Sequence, residues 1–135
     1  AKLDRFIARR REIVRMYNEA FRELAGVRLP EQAEGAESSW HLYVLRFDPA
    51  RFSAGRKRIF EALRAENIGV QVHYIPVYHH PYYRRLGYGK GLCKEAESFY
   101  EQAITLPVFP KMTDRDVADV IAAVRKVHHF YYRKI

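Results

Sequence analysis

The sequence predicts a two-layer α/β domain, a small sheet with helices covering one face. Two observations carry this: stretches of helical and of strand periodicity alternate along the chain, and 135 residues is the length of one domain. A chain of that size buries about two thirds of its unfolded surface. Ten Tyr, eight Phe and a hydrophobic share of 48% supply the core, which excludes a disordered chain.

The elements follow in order. Over residues 3–24, Leu3, Phe6, Ile7, Ile13, Val14, Tyr17, Ala20, Phe21 and Leu24 fall at three- and four-residue spacing, the stripe of an amphipathic helix. Gly26 ends it, and Val27 to Pro30 reads as a short edge strand, since Pro cannot donate to a central ladder. Residues 31–39 are polar and form a loop. Trp40 to Phe47 is rich in aromatic and β-branched residues and predicts a strand, broken by Asp48-Pro49. Ser53 is placed to cap a helix burying Ile59, Phe60 and Leu63, closed by Asn67-Ile68-Gly69. Residues 70–75 alternate as a strand that Pro76 stops, with Val70, Val72 and Tyr74 on a packing face and Gln71, His73 and Ile75 on the other. After an irregular, Tyr- and His-rich stretch at 77–92, a helix over 93–103 turns Phe99 and Tyr100 inward. Ile104 to Val108 then reads as a strand. Thr113-Asp114-Arg115-Asp116 resembles a capping box with Asp in place of Glu, and opens a last helix burying Val117, Val120, Ile121, Val124 and Val127.

A net charge of +8 invites a phosphate-bearing partner, concentrated in the run Arg9-Arg10-Arg11 and in the tail from Arg125. The competing explanation is a solvated basic surface that keeps the chain soluble. An RNA-binding sheet would need exposed aromatics in an RNP-like strand, and that signature is absent. No apolar run approaches the ~18–20 residues that span a bilayer, and no signal-peptide pattern opens the chain. With Cys93 alone a disulfide scaffold is excluded, and the cytoplasm is the expected setting. The chain opens at Ala1 inside a helical pattern without an initiator methionine, as expected of a piece of something longer.

Chemistry-bearing clusters are few. His73, His79 and His80 lie close in sequence and His128-His129 form a pair, but no metal-ligand spacing is present and no metal site is expected. His79-His80 before Pro81 reads as a loop leading into a helix with exposed imidazoles, and His128-His129 as favouring a helix C-terminus. Gly87, Gly89 and Gly91 around Lys90 lack the Walker spacing and read as a flexible connection. Nothing marks Cys93 as a nucleophile, and none of the seven lysines is flanked as a Schiff-base lysine would be. The face carrying Gln71 and His73 is the one open to water, a ligand or a second domain.

Several separate motifs, in order and at matching spacing, resemble one family. They are His41-Leu42-Tyr43, Gly69 to Tyr78, Pro81-Tyr82-Tyr83, Gly87-Tyr88, Ala96-Glu97 and Leu106 to Thr113. From residue 1 to about 128 the chain resembles the C-terminal small domain of the pyridoxal-phosphate-dependent nucleotide-sugar aminotransferases, the DegT/DnrJ/StrS group. Within that group it is most similar to the transaminases that make UDP-4-amino-4,6-dideoxy-N-acetyl-altrosamine. The resemblance implies an α+β domain with a mostly antiparallel sheet, the C-terminal domain of a fold-type-I aminotransferase. It implies a homodimer that moves an amino group from L-glutamate to the C4 ketone of a UDP-linked 4-keto-6-deoxy sugar, with pyridoxal 5'-phosphate as electron sink. The family's Schiff-base lysine and most of its phosphate-holding residues belong to a large domain absent from residues 1–135. The single domain is therefore expected to bind no cofactor, to contain no catalytic residue and to be inactive alone. By the same resemblance Gln71, Val72, His73, Tyr74, Ile75 and Tyr78 line the substrate cleft. A regulatory or partner-binding domain sharing the fold is the alternative, with an RNA-binding module behind it.

Overall fold

Hydrophobic periodicity and turn chemistry lay down five α-helices and three strands along residues 2–133, the part of the chain that the computed structural model describes. They are α1 (Lys2–Phe21), β1 (Val27–Arg28), β2 (Tyr43–Phe47), α2 (Arg56–Ala65), α3 (Pro81–Arg85), α4 (Lys94–Gln102), β3 (Ala103–Leu106) and α5 (Asp114–Tyr131). A 3₁₀ turn, Val77–His79, precedes α3. The sheet runs β1-β2-β3 and both pairings are antiparallel, with Tyr43 opposite Leu106 and Val27 opposite Phe47. This is the expected α+β domain.

Alternation along β2 sends Tyr43, Leu45 and Phe47 into the core, where they meet Ile104 and Leu106 of β3. The stripes of α1 (Ile13, Val14, Tyr17, Phe21), α2 (Ile59, Leu63) and α5 (Val117, Val120, Val124, Val127) close over the same face. Two tyrosines fasten α1 to the sheet end. The Tyr17 hydroxyl donates to the Pro107 carbonyl at 2.9 Å, and that of Tyr43 to Asn18 Oδ1 at 2.8 Å. Burial pushes both phenols upward from their ordinary range. On the opposite face of the sheet Arg46 sits across from Arg28, and the Phe99 ring of α4 lies 5.8 Å from the Arg46 guanidinium. Thus α4 packs on the second face.

Several boundaries differ from expectation, each for a local reason. Trp40 adopts φ +49°, so extended backbone begins only at Tyr43. Ser53 does not cap α2: its N–H and Oγ both donate to the Tyr131 carbonyl at 2.8 and 3.1 Å, and the helix starts after Gly55. In α4 the inward residue is Glu97, while Phe99 is exposed and Tyr100 half-buried beneath the Arg56 guanidinium. The capping box at Thr113 and Asp116 forms as expected, with both reciprocal bonds present. Gly26, at φ +79°, is required where α1 turns back, since a Cβ there would stand 2.7 Å from Arg51 Cβ.

The basic run of α1 is largely engaged within the molecule. Arg9 donates to the Met112 carbonyl, to Asp114 and to Glu12, and Arg11 to Glu37 and the Ser38 carbonyl. Among the described residues no helix is long and apolar enough to cross a membrane.

Candidate substrate-binding segment

The chain leaves α2 through Asn67 in the left-handed region, buries Val70, and meets the free edge of β3 at one point. There the Gln71 N–H donates to the Thr105 carbonyl at 3.0 Å and the Thr105 N–H donates back at 2.8 Å. Beyond it, residues 72–75 make no backbone–backbone hydrogen bond among the described residues. The expected strand over 70–75 is therefore a single bridge followed by an extended segment. The face assignment changes with it. Val70 is fully buried, but Val72 is only half-buried and Tyr74 is 74% exposed rather than packed. Strand alternation holds only where a ladder fixes the pleat, and here the ladder ends after one residue.

Gln71 is exposed, and His73 is half-buried and anchored, its Nδ1 2.9 Å from Thr105 Oγ1. Its ring meets Tyr74 edge to face at 4.7 Å. Ile75 and Val77 are exposed on either side of a buried Pro76. Gln71, His73, Tyr74 and Ile75 thus form one accessible stretch with Val72 partly beneath it.

Tyr78 stands apart from that stretch. Its hydroxyl proton is shared between the Cys93 carbonyl and Glu97 Oε1, each at 3.0 Å. The same Glu97 oxygen accepts from the Gly91 N–H at 2.7 Å and lies 3.5 Å from His79 Nε2. Burial pushes the Glu97 carboxyl upward, but the hydrogen bonds from Gly91 and Tyr78 and the nearby His79 outweigh it, and the net shift is downward. Partial burial, followed by the bond to Glu97, moves the Tyr78 phenol up. In the sequence Glu97 is one of two acids in the first turn of α4, a setting that by itself signals no buried role. Its place in the Ala96-Glu97 motif is the one signal the sequence carries.

The other flagged residues have local explanations. His128 bonds the Ala25 carbonyl through Nε2 at 2.9 Å and stacks on Tyr132 at 4.9 Å, which fixes it more closely than a helix dipole would. His79 is half-buried against Glu97 rather than exposed, while His80 is exposed ahead of Pro81. Gly87 and Gly91, both at positive φ, shape the connection between α3 and α4. Cys93 is exposed at the start of α4.

Residues 1–125 match the model of the DegT/DnrJ/EryC1/StrS aminotransferase family. The chain belongs to this family. It is 45% identical over 120 residues to the uncharacterized protein MJ1066 of Methanocaldococcus jannaschii, covering 88% of this chain and 31% of that protein. It is 40% identical over 128 residues to the spore coat polysaccharide biosynthesis protein SpsC of Bacillus subtilis, covering 93% of this chain and 33% of SpsC. Among solved structures it is similar to Helicobacter pylori PseC, an aminotransferase involved in the biosynthesis of pseudoaminic acid. That match has a TM-score of 0.83 and 27% identity over 93% of this chain and 33% of PseC. The chain spans about a third of the length of the relatives it matches.

An aminotransferase of this family implies pyridoxal phosphate and a lysine to anchor it, an amine activated by a desolvated or cationic setting, and no described lysine is desolvated. All six described lysines are exposed, and Lys126 is committed to the Glu66 carboxylate at 2.8 and 3.0 Å.

Proposed function

We propose that this chain is the C-terminal part of a pyridoxal-phosphate-dependent aminotransferase. The complete enzyme transfers an amino group from L-glutamate to the C4 keto group of a UDP-linked 4-keto-6-deoxy sugar, in the making of pseudaminic-acid-type or related cell-surface sugars. It works in the cytoplasm as a homodimer, with its cofactor held by the large domain. The 135 residues alone are inactive. Within the family frame, the observation that supports this reading is the extended stretch at Gln71–Ile75, where the exposed side chains and the backbone of Val72 to Ile75, free of any ladder, lie around an anchored His73.

Each residue there has a role suited to a nucleotide sugar. The Gln71 amide offers two donors and an acceptor, and the backbone of Val72 to Ile75 offers further N–H and C=O groups. With Nδ1 against Thr105, the His73 ring is oriented, and Nε2 takes the complementary donor or acceptor role toward a hydroxyl or keto oxygen. The exposed Tyr74 ring provides a flat apolar surface for a sugar face.

The test is His73→Ala in the full-length enzyme. The expected result is a fall of about tenfold in kcat/KM for the nucleotide sugar, the worth of one good hydrogen bond. The visible absorbance of the bound cofactor stays as in the wild type. An unchanged kcat/KM would remove His73 from the site.

A further inference from the structure

We infer that Glu97 is a positioning residue for the substrate-binding segment, a clasp that closes the Tyr78–Gly91 loop and so fixes where residues 71–75 lie. This rests on the reading of that segment as the nucleotide-sugar site.

Apart from the core tyrosines, Glu97 and Thr105 are the buried polar side chains of the described residues, 8% and 5% exposed. Burying such groups costs stability unless partners satisfy them, so what they bond is informative. Both bond the same part of the chain. Thr105 holds its beginning through the Gln71 backbone and the His73 ring. Glu97 holds its continuation at both ends at once, Tyr78 on one side and Gly91 on the other, through one carboxylate oxygen. Between these ends Tyr82, Tyr83, Leu86 and Tyr88 are exposed, and their ring contacts stay within the loop. The hydrophobic core therefore contributes little to holding this loop, and the carboxylate contributes much. Buried Pro76 joins the clasp to Ile75 with a fixed φ, so a shift at Tyr78 is passed directly to the segment.

The same geometry redefines Tyr78. Its one hydroxyl proton is already shared between Glu97 and the Cys93 carbonyl, so the residue acts on substrate through the loop. His79, with Nε2 buried and 3.5 Å from the carboxylate, adds a positive charge to the clasp when protonated.

Three variants of the full-length enzyme test this: Glu97→Ala, Glu97→Gln and Tyr78→Phe. Two readouts are taken, the split between KM and kcat for the nucleotide sugar, and the rate of trypsin cleavage after Arg84, Arg85 and Lys90 in the folded enzyme. Glu97→Ala is expected to raise KM about tenfold or more with kcat within about twofold, and to speed cleavage in the loop. Glu97→Gln keeps an acceptor oxygen where Oε1 stands, and is expected to restore both readouts to within about threefold of wild type. Tyr78→Phe keeps the ring, and moves both in the same direction as Glu97→Ala by a smaller factor. If Glu97→Ala and Tyr78→Phe leave KM unchanged while His73→Ala lowers kcat/KM, the site stands and the clasp is overturned. Loop cleavage at the wild-type rate in both variants overturns the clasp as well. If the clasp variants speed cleavage but neither they nor His73→Ala affect the nucleotide sugar, the reading of the site fails, and the positioning role with it.

Discussion

A single carboxylate that holds two ends of a loop makes that loop sensitive to acid. The Glu97 carboxyl titrates below its ordinary 4.5 in the folded chain, because the bonds from Gly91 and Tyr78 and the proximity of His79 outweigh the burial that would raise it. A group lowered on folding stabilises the fold above its unfolded value, and that stabilisation is lost as pH falls through the folded one. The groups facing it are His79 and Tyr78, with Cys93 beside them. On titration from about pH 6 to about pH 3, the Gly91 amide resonance should move with a midpoint below 4.5, the ordinary value for a glutamate. A resonance that stays flat throughout would mean that the bond to Glu97 is not made. This residue also shows how the site could escape sequence reading. Gln71 and His73 stood out as polar positions in an apolar, alternating stretch, whereas Glu97 looked like any acid near a helix start. What distinguishes it is the loop folded over it, a tertiary fact.

Among the elements, α5 has the most local sequence logic. Thr113 accepts from the Asp116 N–H at 3.2 Å while the Asp116 carboxylate accepts from the Thr113 N–H at 2.7 Å, the pairing that the four-residue motif specified. Thr113→Ala should cost about 0.5–2 kcal/mol, read as a lower urea midpoint with an unchanged slope. The two long strands were legible for a related reason, since Tyr43 to Phe47 and Ala103 to Leu106 both combine branched or aromatic residues with a buried face. Residues 70–75 carry the same composition and did not become a strand. Composition records what a segment could pair with, but pairing depends on how far a neighbouring edge runs alongside, and β3 meets this stretch only at Gln71. In α4, Phe99 and Tyr100 misled in the opposite way. Their rings lie near the guanidiniums of Arg46 and Arg56, an arrangement that hydrophobic periodicity does not encode.

At the scale of the molecule, the core and the candidate site lie on opposite faces of one sheet. Leu45 points into the core with no exposed surface, while Thr105, across from Val44, serves the other face. The two can therefore be perturbed separately. Leu45→Ala should lower stability by about 2–5 kcal/mol, measured by denaturant unfolding, and in the folded enzyme should leave KM for the nucleotide sugar near its wild-type value. A rise in KM of about tenfold, as expected for Glu97→Ala, would mean that the faces are mechanically linked. The α+β layering was readable because a buried face leaves a periodic trace. How α4 crosses to the second face was not, because that depends on the shape of the loop before it. The second face also bears on a different matter, the protein's behaviour at high concentration. Because Arg28 on the outermost strand faces Arg46 of its neighbour, the sheet carries like charges across its first pair and gives up a little cohesion there. In return, an extended stretch of another molecule that approaches this border meets two positive charges and the nearby Pro30, a deterrent to growth of the sheet from one chain into the next.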